Sequence, residues 1–191
     1  MTQPSAPAAI RGRDLSRNRA GEAARTKGER KVGAELDKLA RHGWRVLHSV
    51  PSGVGESTLE PLLIDHVLIG PGGVFTVNTK CHPGANVWVA SQVILVDGQP
   101  VPYLRTARHE GQRAARLLTA TLGRVVPVRP ALVFLTDGAP STIDYLQQPD
   151  DVLVLDALVL PGAFARRTGV LGADAVEAVF EVARWEGTWV R

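Results

Sequence analysis

Hydrophobic positions recur with a helical period in the stretch KGERKVGAELDKLARHGW. Val32, Leu36 and Leu39 are spaced by four and three residues, so they share one face of a helix whose other positions are mostly polar. Gly43 follows this pattern directly, and glycine is typical of the position just after a helix. The pattern therefore predicts an amphipathic helix that begins near Lys27 and ends at Gly43.

Apolar runs with β character fill most of the remaining chain. Two of them, over residues 62–70 and 73–80, flank a Pro-Gly-Gly turn that is tight enough to make them antiparallel neighbours. Further strands are predicted over residues 44–50, 87–96, 125–136 and 151–160, and further helices over residues 103–121 and 173–185. This order of elements predicts an α/β fold with a central mixed β-sheet flanked by helices.

The predicted strand LLIDHVLIG is apolar on both faces apart from Asp65 and His66. A strand that is apolar on both sides belongs inside a sheet that is covered on both faces. An ionised carboxylate left unpaired there costs several kcal/mol, so Asp65 requires a cation or a set of hydrogen-bond donors. His66 faces the other side of the strand, and we expect it to be a hydrogen-bonded core histidine.

The neighbouring strand GVFTVNTK places Asn78 and Lys80 on one side, because side chains alternate along a strand. Two interpretations are open. Asp65 and Lys80 could form an ion pair that fixes strand register. Alternatively, Asp65 could hold a divalent cation, with Asn78 as a neutral oxygen ligand and Lys80 as the group that stabilises charge on a phosphate.

Composition excludes several classes of protein. The chain has 191 residues and a single cysteine, Cys81, which excludes an internal disulfide and the paired-cysteine zinc motifs. It contains no phosphate-binding loop, no nucleophile elbow, no HExxH motif and no dinucleotide-binding glycine turn. No apolar run is long enough for a transmembrane helix, and no signal-peptide pattern is present, so we expect no membrane association and a cytoplasmic location.

Charge is concentrated at the start of the chain. Residues 1–31 contain eight basic and three acidic side chains, whereas the whole chain has a net charge of only +3. We therefore expect residues 1–26 to form a flexible basic arm and residues 27–191 to form the folded domain. The arm could contact a polyanion or could simply aid solubility.

Three segments carry a resemblance to a known family: GERKV at residues 28–32, IDHVLIGPGGVFTVNTK at residues 64–80, and the hairpin that follows. Together they resemble the nuclease-related domain, NERD, a branch of the PD-(D/E)xK restriction-endonuclease-like superfamily. The similarity runs from about Lys27 to Thr121 and continues more loosely to the C-terminus. It implies a restriction-endonuclease-like sheet with a metal-dependent phosphodiesterase site on its central strands.

The resemblance also implies roles for individual residues. Glu29 would be the accessory carboxylate, with Glu35 as the alternative acid, Asp65 the metal-binding aspartate and Lys80 the catalytic lysine. Asn78 stands where the superfamily usually has an acid, which removes one negative charge from a site expected to hold Mg²⁺ or Mn²⁺ through Asp65, Glu29 and Asn78.

Three functions are consistent with these observations. The first is a divalent-metal-dependent nuclease that acts on DNA. The second, favoured by Asn78, is a catalytically silent module that binds nucleic acid or a protein partner. The third is a purely structural α/β domain in which Asp65 and Lys80 form an ion pair.

The helix predicted over residues 103–121 carries a polar stripe. Arg105, His109, Gln112 and Arg116 line one side, beside Arg108 and Arg113. The four arginines could follow a phosphate backbone through charge, or the stripe could be an ordinary solvated helix face.

Overall fold

The computed structural model describes residues 12–17, 26–54, 61–136 and 142–190. Its helices are α1 (Lys27–Asp37), α2 (Tyr103–Leu122), α3 (Leu160–Ala165) and α4 (Ala173–Ala183). Its strands are β1 (Arg45–Val54), β2 (Pro61–Gly70), β3 (Gly73–Cys81), β4 (Val87–Val89), β5 (Ile94–Val96), β6 (Gln99–Val101), β7 (Val128–Leu135), β8 (Ile143–Tyr145) and β9 (Leu153–Asp156).

The main sheet is mixed, as predicted. Over the described ranges it has five strands in the order β1-β2-β3-β7-β9. The pairs β1-β2 and β2-β3 are antiparallel, whereas β3-β7 and β7-β9 are parallel. The tight turn at Pro71 and Gly72 joins β2 to β3, which confirms that these two strands are antiparallel neighbours.

Helices cover both faces of this sheet. One face packs against α1 and α3, with Leu36, Trp44, Phe75 and Phe164 in its core. The opposite face packs against α2 and α4, through a second core that includes Leu118 of α2. This layered arrangement confirms the predicted α/β fold with helices on a central mixed sheet.

Local interactions set the two ends of α1. Thr26 caps the helix by accepting a hydrogen bond from the Glu29 amide at 3.2 Å, and the Glu29 carboxylate accepts one from the Thr26 amide at 3.0 Å. This reciprocal pair satisfies amide groups that a helix start leaves without partners. After α1 the chain continues as a 3-10 helix to His42, and Gly43 ends it with a left-handed φ of 78°.

A smaller sheet lies beside the main one. In the described part of the chain it contains four strands in the order β6-β5-β4-β8. Val87, Val89 and Ile94 of this sheet share a core with Leu104 of α2 and Phe134 of β7. The small sheet therefore packs against the first turns of α2 and the end of β7, and it anchors α2 over the main sheet.

Three expectations differ from the structure. The strand predicted over residues 87–96 is divided into β4 and β5, which pair antiparallel, because the Ala90 amide donates a hydrogen bond to the Val93 carbonyl at 2.9 Å and closes a turn between them. The predicted strand over residues 151–160 ends at Asp156, because the Asp156 carboxylate accepts a hydrogen bond from the Leu158 amide at 2.8 Å and starts a helical turn.

Residues 12–17 fall inside the expected flexible arm, yet they pack on the domain. Leu15 is 3% exposed, and Asp14 forms an ion pair with Arg184. Residues 1–11 and 18–25 lie outside the described residues.

Among the described helices, none combines the length and the apolar character that a membrane crossing requires.

Gly70 tests the packing between the sheet and Trp44. A Cβ atom at Gly70 would overlap the Trp44 indole, which is itself 1% exposed and held between Phe75 and Phe164. We expect Gly70→Ala to lower the free energy of unfolding by about 3 kcal/mol, measured by urea denaturation. The control is Gly162→Ala, whose added Cβ would meet only the Arg166 guanidinium at 3.6 Å. Equal stability of the two variants would contradict this packing.

Candidate metal-binding site at the fork of two strands

The backbone ladder between β2 and β3 opens at Asp65. The paired positions run from Gly70 and Gly73 to His66 and Val77, and no pairing continues beyond them in the described strands. The Asp65 carboxylate lies in the gap and accepts a hydrogen bond from the Thr79 amide at 2.6 Å. The Asp65 side chain thus bridges the two strands where the backbone ladder has ended. The strands separate beyond this point, and polar groups line the gap between them.

Asn78 joins this fork to α2. Its side-chain oxygen lies 3.5 Å from the Asp65 amide, and its side-chain nitrogen donates a short hydrogen bond to the Glu110 carboxylate. Asn78 is 5% exposed, so these partners satisfy an amide group that would otherwise be costly to bury. We call the set Asp65, Asn78, Lys80 and Glu110 the fork site.

Gly111 brings Glu110 close enough to reach Asn78. A Cβ atom at Gly111 would lie 3.0 Å from Pro130 of β7, so α2 approaches the sheet as closely as a glycine allows. Ala107 and Ala114 lie on the same buried side of α2 and are also small. These small residues let the backbone of α2 sit near β3 and β7, and Glu110 at the edge of the buried face then points into the fork site.

The electrostatic environment of Glu110 is unusual for a carboxylate. Burial raises its pKa from 4.5 to about 7, although the hydrogen bond from Asn78 and the charge of Lys80 oppose this increase and Asp65 adds to it. Desolvation penalises the charged form of a carboxyl group, and a second carboxylate nearby penalises it further. Glu110 is therefore an acid that a nearby cation would favour in its ionised form.

Lys80 is held by an aromatic ring. Its ammonium nitrogen lies 4.9 Å from the centre of the Tyr103 ring, at the start of α2. The Tyr103 hydroxyl lies 2.9 Å from His82 Nε2. Burial lowers the pKa of His82, and the charge of Lys80 lowers it further. The charge of Lys80 also lowers the pKa of Glu110. An ion pair between Asp65 and Lys80 that fixes strand register stays a prediction.

Glu29 and Glu35 lie on α1, away from the face that Asn78 and Lys80 share. The first turn of α1 packs on Cys81 and Thr79 through Gly28, and these residues alternate with Asn78 and Lys80 along β3. Glu29 is engaged in the helix cap, and Glu35 forms an ion pair with Lys38 at 2.6 Å. A role for Glu29 as metal ligand stays a prediction.

His66 confirms one expectation about the core. It is fully buried, and its Nδ1 atom lies 2.8 Å from Nδ1 of His48 on β1. His48 Nε2 in turn lies 3.0 Å from the Asp37 carboxylate at the end of α1. His66 is therefore a hydrogen-bonded core histidine.

The arginines of α2 divide into two groups. Arg105 and Arg116 are exposed, together with His109 and Gln112 of the predicted polar stripe. Arg108 instead forms two hydrogen bonds with Asp151, at 2.6 and 3.0 Å, and Arg113 donates one to the Trp189 carbonyl at 3.2 Å. The first pair is presented to solvent, whereas the second pair is engaged within the fold.

The donor atoms of the fork site fit a hard divalent cation. Asp65 and Glu110 supply carboxylate oxygens and Asn78 supplies an amide oxygen, and Mg²⁺ is commonly bound by one or two carboxylates together with water. The described residues contain no group of three or more histidine, cysteine, aspartate or glutamate side chains that could hold a metal by themselves. Solvent and substrate oxygens would therefore complete the coordination of any metal bound here.

Glu110 is the site residue that the sequence pattern alone does not single out. The signal that identifies it is its position: it falls three residues after Ala107 and one before Gly111, on the edge of the apolar face of α2. An acid among small residues on a buried helix face indicates a carboxylate that contacts the layer beneath.

One comparison with known proteins gives a match. The family model of the nuclease-related domain, NERD, matches residues 24–135, which is more than half of the chain. This range extends from the start of α1 to the end of β7 and includes all four residues of the fork site. No curated protein and no solved structure matches the chain significantly.

The raised pKa of Glu110 predicts a pH dependence of stability. Between pH 4.5 and about 7 the unfolded chain loses this proton while the folded protein keeps it, so the free energy of unfolding falls as pH rises through this window. We expect Glu110→Gln in metal-free buffer to be more stable than the native protein above pH 7, by about 2 kcal/mol, and similar to it at pH 4.5. Urea denaturation at the two pH values measures this difference, and a pH-independent difference would contradict it.

Proposed function

Because the chain belongs to the nuclease-related domain family, we propose that it is a divalent-metal-dependent nuclease that hydrolyses phosphodiester bonds in DNA. The observation that carries this proposal is the convergence of two carboxylates, Asp65 and Glu110, with Asn78 and close to Lys80 where β2 and β3 separate. Paired acids beside a lysine are a combination that supports phosphoryl chemistry.

In this proposal Asp65 and Glu110 hold Mg²⁺ or Mn²⁺, with the Asn78 oxygen as a neutral neighbour. The metal supplies charge neutralisation at the scissile phosphate and a lowered pKa for the attacking water. The Thr79 amide fixes one oxygen of Asp65, so the other carboxylate oxygen has a defined direction. Asn78 fixes Glu110 in the same way.

Glu110 compensates for the amide at position 78. An acid at that position would add a third carboxylate beside Asp65 and Glu110, and it could not donate the hydrogen bond that Asn78 gives to Glu110. With Asn78, the site retains two negative charges, one from a strand and one from a helix. Glu110 of α2 thus supplies the carboxylate that the strand lacks at position 78.

Lys80 is suited to stabilise negative charge on the phosphate. The Tyr103 ring holds its ammonium group by a cation–π contact, and its charge lowers the pKa of Glu110. A lysine placed in this way keeps its charge available to a substrate. Burial and the charge of Lys80 both lower the pKa of His82, which favours the neutral form of that histidine at pH 7.

DNA is the proposed substrate because α2 carries exposed arginines on its outer side. Arg105 and Arg116 are separated by eleven residues, or about three helical turns, so they lie on one side of α2. Contacts of this kind bind the phosphate backbone without reading base sequence. Arg108 and Arg113 donate hydrogen bonds within the fold, so we assign them no direct contact with DNA.

A second function is favoured by one observation. The described residues lack a three-ligand cluster, and Asn78 is neutral, so the site could have lost metal binding while the fold was retained. The protein would then be a catalytically silent module that binds nucleic acid. The two functions differ in whether the fork site cuts DNA.

Cleavage of supercoiled plasmid in the presence of Mg²⁺ or Mn²⁺ tests the proposal. We expect Asp65→Asn, Glu110→Gln and Lys80→Met each to lower the cleavage rate by about 100-fold or more, because each removes charge needed in the transition state. Asp174→Asn is the matched control, since Asp174 is an exposed acid on α4.

The outcomes separate the two functions. Equal cleavage by the native protein, the fork-site variants and Asp174→Asn would assign the activity to a contaminant and overturn the role of the fork site. Absence of cleavage by the native protein with either metal, together with retained DNA binding, would establish the silent module.

DNA binding by α2 is tested separately, in EDTA, where no cleavage occurs. We expect the double variant Arg105→Gln/Arg116→Gln to bind duplex DNA more weakly and to reduce the slope of log K against log salt concentration by about 2, since two phosphate contacts are lost. Fluorescence anisotropy at NaCl concentrations from about 50 to about 200 mM measures this slope. Arg41→Gln, an exposed arginine that follows α1, is the control. An unchanged slope in the double variant would exclude this surface.

A further inference from the structure

Two arginines meet at the end of the sheet opposite to the fork site. Arg129 on β7 is paired in register with Phe75 on β3, so their side chains leave the sheet on the same face. Arg167, which follows α3, places its guanidinium carbon 5.8 Å from the centre of the Phe75 ring. Arg129 and Arg167 line the same cavity as Phe75.

The two guanidinium groups are poorly satisfied by the protein itself. The Nε atoms of Arg129 and Arg167 are buried, and neither has a hydrogen-bond acceptor among the described residues. Arg129 Nη2 donates a hydrogen bond to the Asp150 carbonyl at 3.0 Å. Burial lowers the pKa of Arg167, and the charge of Arg129 lowers it further. The charge of Arg129 also lowers the pKa of Asp151, but the first cause of that decrease is the hydrogen bond from Arg108, which binds this carboxylate directly. Two like charges near each other are mutually unfavourable, and a bound anion would offset their repulsion.

The backbone that carries Arg167 is anchored. The amides of Val170 and Leu171 donate hydrogen bonds to the Pro71 carbonyl, at 2.9 and 3.1 Å. A Cβ atom at Gly72 would overlap Arg167, so the segment rests directly on the turn between β2 and β3. These contacts fix the backbone of the Arg167 segment on the turn between β2 and β3.

A cavity of about 400 Å³ lies beside these arginines. Its lining includes Arg129 and Arg167 together with the apolar residues Phe75, Pro127, Val128 and Val170. Asp151 also lines the cavity, but Arg108 already binds both of its carboxylate oxygens. Asp150, on the rim, is exposed. The cavity is large enough for a small ligand, and it offers a positive end and an apolar wall.

We propose that this cavity binds a phosphate monoester whose organic group packs on the apolar wall while Arg129 and Arg167 hold the phosphate. Guanidinium groups match phosphate oxygens with paired hydrogen bonds, and each buried Nε would gain an acceptor. The ligand is either a free nucleotide-sized molecule or the phosphorylated 5′ end of a DNA strand. The site is about 17 Å from Lys80 along β3, so it is separate from the fork site.

Binding in EDTA tests this site without any dependence on cleavage. The probes are deoxythymidine 5′-monophosphate, deoxythymidine, inorganic phosphate, and a short oligonucleotide with and without a 5′-phosphate. We expect calorimetry to detect the monophosphate and not the nucleoside, with inorganic phosphate weaker than the monophosphate. A gain in oligonucleotide affinity from the 5′-phosphate that Arg167→Gln removes identifies a DNA end as the ligand. Equal binding of the two oligonucleotides, with binding of the monophosphate retained, identifies a free molecule.

Variants localise the binding. We expect Arg167→Gln to weaken the monophosphate at least about 10-fold and Arg167→Lys to weaken it less, because lysine keeps the charge but lacks the planar fork. Arg166→Gln, at the exposed neighbouring position, leaves the affinity unchanged. The unfolding free energy of Arg167→Gln without ligand should not fall, since the variant removes a repulsion. Absence of phosphate binding in the native protein, or equal weakening in Arg166→Gln and Arg167→Gln, would overturn the proposal.

Discussion

The separation of β2 from β3 at Asp65 is the constraint on which the fork site depends. A strand pair that stays closed satisfies its backbone groups along its length and leaves no room for a polar site. Here the pairing ends at His66 and Val77, and the Asp65 carboxylate takes the Thr79 amide instead. The opening exposes polar groups inside an otherwise apolar sheet, and every one of them must then find a partner. Asn78 satisfies this requirement on both sides, toward the Asp65 backbone and toward Glu110.

Charge balance follows from that opening. Asp65 and Glu110 interact unfavourably, and burial raises the pKa of Glu110 to about 7, so the site is short of positive charge when both acids are ionised. Lys80 offsets part of this deficit from the position that Tyr103 gives it. A dication would offset the remainder, which supports the proposed metal site on grounds that do not depend on the family. The same balance explains how an amide at position 78 is compatible with a metal-binding role.

The opposite end of the sheet has the reverse polarity. The turn between β2 and β3 and the start of β7 place Arg129 and Arg167 in the lining of one cavity, and the Nε atoms of both are buried without an acceptor among the described residues. One strand, β3, therefore connects an acidic fork to a basic cavity. Between the fork site and the cavity, β3 contributes buried residues to the two cores, Val74 on one face and Phe75 and Val77 on the other. These buried apolar residues separate the acidic fork site from the basic cavity.

The sequence by itself determined the elements and the polar residues of β2 and β3. Periodic apolar positions predicted α1, α2, α4 and the β2-β3 hairpin, because local patterns of burial are written in neighbouring positions, and the spacing of Asp65, Asn78 and Lys80 identified the polar interruption. Only the tertiary structure decided that Glu110 joins them and that Glu29 lies over the other face of β3. It also decided that Leu15 packs on the domain and that Arg129 and Arg167 line one cavity. These contacts join residues that are far apart in the chain. The periodicity of apolar residues within one element does not predict which helix face packs against which strand.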